Sequence, residues 1–515
     1  MRLILAATLL GSSPLLVAQN SEPSFDEQSK TLEANIERLG KLDTKHPDYI
    51  AAQLDYAQLL SRNTSGEDCA TRLPAADAHF KVANDSIVTP LVLKGARGRV
   101  PVVGYYLEMA RSRCAADAQK TTALNAALKY ARDAVDGYRT LFMYEPMAIM
   151  QFNVAQTLHD LGDDAGAVKE LQAALDIDRT FAFKADAEEN FRTLNEWQKK
   201  TITDADVSAF SAAFAPRSVT LKFGWTPAKV EATTAFDNAT FEGGAVRHTK
   251  FSMPMTGTIR ADKDDLVYEV KAGEPKIDTT NVGSDTEKKL VDLMARVLGK
   301  LPSGVVSKAG EFREVRDLDA FAKQMNDEID AAVKAAVPEK DPRYPAVKAA
   351  IDQELRPYAT AENLLGKMQQ GYSLETGIWS GATMEQNAWV TLPLTLSMNG
   401  TPQGFIEHAV EAAFTRRLPC GAGQPADGCV ELVLEAVPTQ KAVTDVTQKL
   451  QDANQGKLDY AAATRMRLVV NPDTLVPYEN ETLRYTYLAL ANKGQRVLKI
   501  STERAVSVYK YRKSP

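Results

Sequence analysis

The sequence predicts a multidomain α+β protein: a helical N-terminal half, then an antiparallel, strand-rich half with inserted helices. Three observations carry that expectation. Proline is sparse from about Ser24 to Lys200, and apolar residues recur there at three- and four-residue intervals, the period of an amphipathic helix. Near Thr201–Ser218 the pattern changes to strand-like alternation with period two. At 515 residues the chain exceeds what one small core serves, and its length favours two to three domains. The expected divisions are a leader over 1–18, a helical domain over 19–203, a linker over 204–216 and a β-rich domain over 217–515, with helices inserted at about 284–370.

The leader is MRLILAATLLGSSPLLVAQN: one arginine, an apolar run and a small residue at Ala18. That pattern predicts a secretory signal cleaved near Ala18, although Leu16 is large for its place before the cut. Gly11, Ser12, Ser13 and Pro14 interrupt the run short of the roughly 20 apolar residues a membrane span needs. The first cysteine is Cys69, which removes a lipid-modified N-terminus, and no later segment is apolar for long enough to span a bilayer. The expectation is a soluble exported protein, most simply periplasmic. Apolar content of 44% and charged content of 25% are ordinary for globular protein. A net charge of −6 leaves no large basic footprint, which argues against nucleic acid or an anionic membrane surface as partner.

In the helical half the most informative stretch is AIMQFNVAQTLHDLGDDAGAVKELQAALDID, residues 148–178. Val154, Ala155 and Leu158 belong to one helix, Gly162 to a turn, and Ala167, Leu171 and Ala174 to a second helix. Small side chains at Ala155 and Ala167 let the two helices approach closely. This unit resembles a tetratricopeptide repeat, a helix–turn–helix of about 34 residues. It departs from the family at Gln151, where an aromatic is usual, and at Arg179, where proline commonly closes the unit. Ala123–Tyr138, with Ala127, Ala131 and Ala134 in small positions, fits the second helix of a preceding unit. His46–Asn63 fits the first helix of an earlier one. The resemblance implies several stacked units and a concave groove that takes a protein or peptide partner. The plainer alternative is that these helices only pack against the rest of the chain.

Strand-like segments follow: SVTLKFGW, AKVEATTAF and VRHTKFSMPMTGTIRADKDDLVYEVKAG. The clearest strand is WVTLPLTLSMNGT, residues 389–401. Val390, Leu392, Leu394, Leu396 and Met398 share one face, and Thr391, Thr395 and Ser397 the other. Asn399-Gly400 supplies the positive φ of a tight hairpin. Pro393 cannot donate to a ladder and so belongs at an edge or bulge. The return strand has Ile406, Val410, Ala412, Phe414 and Leu418 in register, and Val430, Leu432 and Leu434 alternate with Glu431, Val433 and Glu435 after it. Two strands then surround the Asn-Pro-Asp-Thr turn within 464–490, and 495–511 is expected to close the sheet. Within the helical insertion, Ser284 and Glu287 are spaced as a capping box ahead of a stripe formed by Leu290, Leu293, Met294, Val297 and Leu298, with Gly299 as a stop. Leu318, Phe321, Met325, Ile329 and Val333 form a second stripe. A curved sheet with helices on one face looks like exported carriers of lipids or lipoproteins, by element order alone. That resemblance implies an apolar cavity, here lined by Leu392, Leu394, Phe414 and Leu432.

Four cysteines in an exported chain predict disulfides, and pairing within each half, Cys69 with Cys114 and Cys420 with Cys429, is the economical choice among three. Cys420 and Cys429 bracket the loop CGAGQPADGC, whose spacing fits no standard zinc pair. None of the five histidines has metal-ligand spacing, and His408, in the apolar register of its strand, suits a hydrogen-bonded core position. GIWSGAT around Ser380 lacks the glycine spacing of a nucleophile elbow. ADKDDL at 261–266 suits a hairpin turn rather than a calcium loop. Lys94, Arg97 and Arg99 offer positive charge for an acidic partner. No catalytic, cofactor or metal site is therefore predicted. The expected function is a non-enzymatic adaptor; an apolar-ligand carrier and an enzyme with a non-local site are the alternatives.

Overall fold

The computed structural model describes residues 24–62, 64–88, 96–183, 187–212, 214, 216–278, 302–354, 356–398, 404–452, 456–492 and 495–513. The leader, Lys94, the stripe from Ser284 to Gly299 and the Asn399-Gly400 turn lie outside those residues.

The first half is a run of antiparallel helices: α1 (Phe25–Gly40), α2 (Pro47–Arg62), α3 (Cys69–Ser86), α4 (Ala96–Cys114), α5 (Asp117–Thr140), α6 (Tyr144–Asp160), α7 (Asp164–Phe181), α8 (Ala187–Trp197) and α9 (Asp204–Ala212). Ser24 and Glu27 start α1 as a reciprocal capping box. Helices α2/α3, α4/α5 and α6/α7 pack as hairpins. In the last of these Gly162 takes φ +83° at the turn, and the Asp163 carboxylate accepts the Gly166 N–H to cap α7. Ala155, Ala167, Leu171 and Ala174 are fully buried, and Val154 and Leu158 nearly so. Ala127, Ala131 and Ala134 are equally enclosed along α5. Helices α4 and α5 approach closely at Gly104, where an added Cβ would meet the Tyr130 ring at 2.7 Å. The expected linker over 204–216 differs: much of it is α9, started by Thr203 and Asp206 and docked through Phe210 stacked on Phe191 at 4.2 Å.

The second half builds one antiparallel sheet of twelve strands among the described residues. Its first wing holds β2 (Ala228–Glu242), β3 (Ala245–Asp262), β4 (Asp265–Ala272), β5 (Lys276–Ile277), β6 (Ser303–Ser307) and β7 (Phe312–Arg316). Its second holds β9 (Val390–Ser397), β10 (Phe405–Leu418), β11 (Cys429–Pro438), β12 (Lys457–Val470), β13 (Pro477–Asn492) and β14 (Gln495–Lys513). The order is β7-β6-β4-β3-β2-β14-β13-β12-β11-β10-β9, with β5 beside β3. A separate pair joins β1 (Ser218–Thr220) to β8 (Thr383–Glu385), so only the start of SVTLKFGW is strand. The inserted helices are α10 (Leu318–Ala336), α11 (Tyr344–Glu354) and α12 (Ala361–Glu375), and α13 (Gln440–Asp452) links β11 to β12.

Three strand expectations change in the structure. β14 does not close an edge; it lies mid-sheet, paired with both β13 and β2. Leu418 leaves the face shared by Ile406, Val410, Ala412 and Phe414, because a bulge at Thr415 shifts the register by one residue. β11 is covered on both faces rather than one, with Glu431 and Val433 as inaccessible as Leu432. The edge position of Pro393 holds. Ser397 opposes Phe405 while the next residue, Met398, donates to Gly404, so N–H groups at Pro393's alternate positions point away from β10. The free N–H of Ser397 is capped by Gln370 at 2.9 Å.

The helical array covers one face of the sheet, where Val433, Leu483, Tyr485, Tyr487, Ala489 and Ile500 join its core. On the opposite face Phe414, Leu432, Leu434, Met466 and Leu468 pack against Trp379, Leu374, Val219 and Leu221. This overturns the expected apolar cavity. Phe414 and Leu432 have no accessible surface, so no water-sized void borders them, and Trp379 fills the space beside them. Leu394 packs on the same cluster, and Leu392 is half-exposed on the edge strand.

Both cysteine pairs form disulfides, Cys69–Cys114 and Cys420–Cys429, with Cα–Cα distances of 5.8 and 4.9 Å. The first joins the start of α3 to the end of α4; the second closes the β10–β11 loop. Replacing Cys69 and Cys114 by serine should cost about 4 kcal/mol and the shorter Cys420–Cys429 loop about 2.5 kcal/mol in the chain-entropy model. Denaturant unfolding of the two double variants measures the order, and equal midpoints for both would contradict it.

Candidate partner-binding cleft

The array stands on the sheet through the loops that precede α2 and α6 and through the end of α7. At the first loop Asp43 is buried, accepting the Tyr487 hydroxyl at 2.5 Å and the Arg496 Nη2 at 2.8 Å. The His46 ring meets the Tyr487 ring edge-on at 4.8 Å, with Nε2 3.5 Å from Asp459. Burial, reinforced by the Asp43 charge, drives the Tyr487 hydroxyl well above its ordinary range.

The second contact is built around Glu431, which has no accessible surface. Arg416 Nη2 reaches its Oε2 at 3.0 Å and Arg467 Nε at 2.7 Å, while Thr415 Oγ1 donates to Oε1 at 2.8 Å. The Tyr144 hydroxyl at the start of α6 also bonds this carboxylate. Burial pushes the Glu431 carboxyl up, but the two guanidiniums outweigh it and hold the group below its ordinary value. Arg467 continues to Glu479 at 2.8 Å. The bulge makes this geometry available. The Gln386 amide donates to the Thr415 carbonyl at 2.8 Å and to Thr180 at the end of α7 at 2.9 Å. Beside it, Asn387 bonds the Phe181 carbonyl. Phe142, in the α5–α6 turn, is held at φ +56°, an unusual conformation for an aromatic residue, next to this contact.

Beside Glu431 the array and the sheet do not meet flush, and a cleft of about 560 Å³ remains. Its aromatic wall is Phe142, Tyr144 and Phe181, the latter two stacked at 3.9 Å. The Arg416 guanidinium lies 5.6 and 5.1 Å from those two rings, and Arg467 lies 6.0 Å from Phe142. Arg139 and Arg504 complete the basic lining, against Asp176 and Glu481. Exposure falls from 59% at Arg139 to 14% at Arg467, so the arginines run from rim to floor. Arg504, held by Glu481 at 2.6 Å, also borders a smaller groove of about 300 Å³ lined by Asp237, Lys250, Lys276 and Asp278.

None of the residues selected from the repeat-like unit lines the cleft. Val154, Ala155, Leu158, Ala167, Leu171 and Ala174 hold α6 against α7, which places Tyr144 and Phe181 at its wall. Arg139, Arg416, Glu431, Arg467 and Arg504 were not foreseen. A usable signal was present: Glu431 and Glu435 share one face of a strand as Arg465 and Arg467 share one face of the next, and the ladder sets Glu435 opposite Arg465 and Arg467 one step diagonal to Glu431. Arg99 is paired with Asp55.

Elsewhere, His408 is buried with Nδ1 3.0 Å from the Ile406 carbonyl, and burial pushes its pKa down. His79 and His248 bond Gln53 and Asp237 at 2.6 and 2.5 Å. Ser380 follows a short helical turn, Gly377–Trp379. Among the described residues no group of three or more acidic, histidine or cysteine side chains could hold a metal ion, and no helix is long and apolar enough to cross a membrane. On the face opposite the cleft, Glu375 at the end of α12 accepts the Asn480 amide at 2.6 Å. Burial pushes its carboxyl up to about 7.

No family model matches the chain, and no curated protein matches it. A solved structure described as "Lipid-protein interactions in lipovitellin" aligns with 56% of this chain and 26% of that chain, at 9% identity and a TM-score of 0.26. The alignment thus spans about a quarter of the lipovitellin chain, and a likeness this slight carries no argument about fold or ligand.

Replacing Glu431 by glutamine leaves two guanidiniums facing an uncharged amide in a buried contact and should cost about 3–5 kcal/mol, measured by denaturant unfolding at pH 7. Because its folded pKa is depressed, the carboxylate's contribution is present above its unfolded pKa of about 4.3 and is lost as pH falls through the lower folded value. The difference between wild type and Glu431→Gln should therefore shrink in acid; a constant difference would refute the assignment.

Glu375 has the opposite sign. Its raised pKa favours the folded state below the unfolded value and loses that advantage as pH rises towards about 7. Glu375→Gln should raise stability at pH 8 by about 1–2 kcal/mol and leave it unchanged at pH 4. A variant no more stable than wild type at pH 8 would contradict the shift.

Proposed function

We propose that the protein is an exported, non-enzymatic adaptor that holds a protein or peptide partner in the cleft between its helical array and its sheet. The observation that carries this reading is the cleft itself: about 560 Å³, within the range of roughly 300–1,000 Å³ usual for binding sites, with an aromatic wall and four arginines. Arg416 Nε is buried there without a hydrogen-bond partner. The hairpins that form one wall resemble tetratricopeptide units, whose surfaces generally bind polypeptide. The signal-like leader and two disulfides support an oxidising compartment, with the periplasm the simplest choice.

A second reading, carriage of an apolar ligand, is favoured by the opposite face. There Trp225 and Tyr268 remain half-buried, meeting edge-on at 5.9 Å, with Tyr372 of α12 6.1 Å from Trp225. A photo-crosslinking residue at Thr140, on the cleft rim, should yield a discrete adduct in the native compartment, whereas one at exposed Val246 should not. Equal labelling from both positions, or none, would remove the cleft as the partner site. Mass spectrometry of an organic extract tests the carrier reading, and a stoichiometric lipid would favour it.

A further inference from the structure

Resting on the face opposite the cleft as a ligand site, we infer that it takes an organic ammonium ion, held by the Glu375 carboxylate and the rings of Trp225, Tyr268, Tyr509 and Tyr511. Glu375 ends α12, and its Oε1 accepts the Asn480 amide at 2.6 Å. Its second oxygen, Oε2, has no hydrogen-bond partner among the described residues and is not buried. The same holds for the Tyr268 and Tyr511 hydroxyls. Burial drives the hydroxyls of Tyr268, Tyr509 and Tyr511 well above their ordinary range, and the Glu375 charge adds to it in each. Groups so poorly solvated that still keep accessible surface line a recess rather than a flat face.

The rings meet at angles. Trp225 crosses Tyr268 at 88° and Tyr372, one turn before Glu375, at 79°, with centroids 5.9 and 6.1 Å apart. Tyr511 lies 6.4 Å from Tyr509 on the same face of β14 and 5.6 Å from Tyr478. Charge then selects the ligand. Among the described residues Arg484 is the cation that acts on Glu375, and Glu503 neutralises it at 3.3 Å. Lys367 sits on exposed surface two turns back on α12, about 12 Å along the helix. The recess therefore holds a carboxylate bonded to a neutral amide, with no cation against it. An ammonium ion supplies that counter-charge, and the aromatic rings favour it further. An anion would meet Glu375 and gain nothing from the rings. A metal ion is poorly served, because no group of three or more ligating side chains occurs among the described residues.

Isothermal titration calorimetry of the full disulfide-bonded chain compares decyltrimethylammonium with decyl sulfate, which carries the same chain and the opposite charge. The cation should bind at least tenfold tighter at pH 8. Because the free carboxyl titrates at about 7, that affinity should fall roughly thirtyfold by pH 5.5. Tyr268, Tyr509, Tyr511, Arg484 and Glu503 keep their charge states across that range. Glu375→Gln, expected to be more stable than wild type at pH 8, should lose at least tenfold in affinity together with the pH dependence. Equal affinity for cation and anion, no binding of either, or a Glu375→Gln variant that binds as wild type does would each overturn the ammonium site. Tetramethylammonium separates the sources: displacement of the long-chain cation by this head alone supports a free ammonium compound as ligand, and failure to displace it supports a lipid headgroup. Carriage of lipid is judged separately by the organic extract, and an empty extract leaves the ammonium site to stand or fall on the titration.

Discussion

A carboxylate with no accessible surface, Glu431, sets the terms for much of this structure. An isolated charge there would be costly, and it persists because Arg416, Arg467, Thr415 and the Tyr144 hydroxyl saturate it from three elements. Each partner imposes a condition. Arg416 and Thr415 require the one-residue bulge in β10, Arg467 requires the β11–β12 register, and Tyr144 requires the helical array on that face. A nonpolar contact would tolerate sliding of the array over the sheet, whereas this one is satisfied in a single placement. With the Asp43–Tyr487–Arg496 contact near the other end of the array, two polar anchors fix the docking.

That docking decides which surfaces of the helical array stay open. The loops preceding α2 and α6 are occupied by the sheet, so the cleft has a composite wall, with aromatic groups from the helical array and guanidiniums from α5 and three strands.

Much of the local structure was legible. The alternation over 390–397, the proline at its edge, the Asn-Pro-Asp-Thr turn and the small residues pairing α6 with α7 are short-range patterns whose physics lies within a few residues. Both disulfide pairings followed from compartment and proximity in sequence. What failed depended on distant chain. Glu431 and Glu435 alternate with Val433 as a solvent-facing set would, and only the array above them makes that face buried. The bulge that sends Leu418 to the other face has no composition signature at Thr415. Leu392, Leu394, Phe414 and Leu432 had the right pattern for a lining, but Trp379 from another segment fills that space. The cleft was beyond reach because Arg139, Arg416, Arg467 and Arg504 come from four elements.

The mid-sheet place of β14 has a consequence in time. Thr234 on β2 bonds Ser507 on β14 across a sequence separation of 273. At synthesis rates of roughly 5–20 residues per second, β2 waits tens of seconds for that partner. Until then the two wings are separate sheets, each with an unpaired long edge, β2 on one and β13 on the other. The helical array needs no such delay, because its hairpins are local in sequence. The newborn chain thus carries a finished scaffold beside two sticky half-sheets, and its most exposed moment comes just before the last strand slides between them.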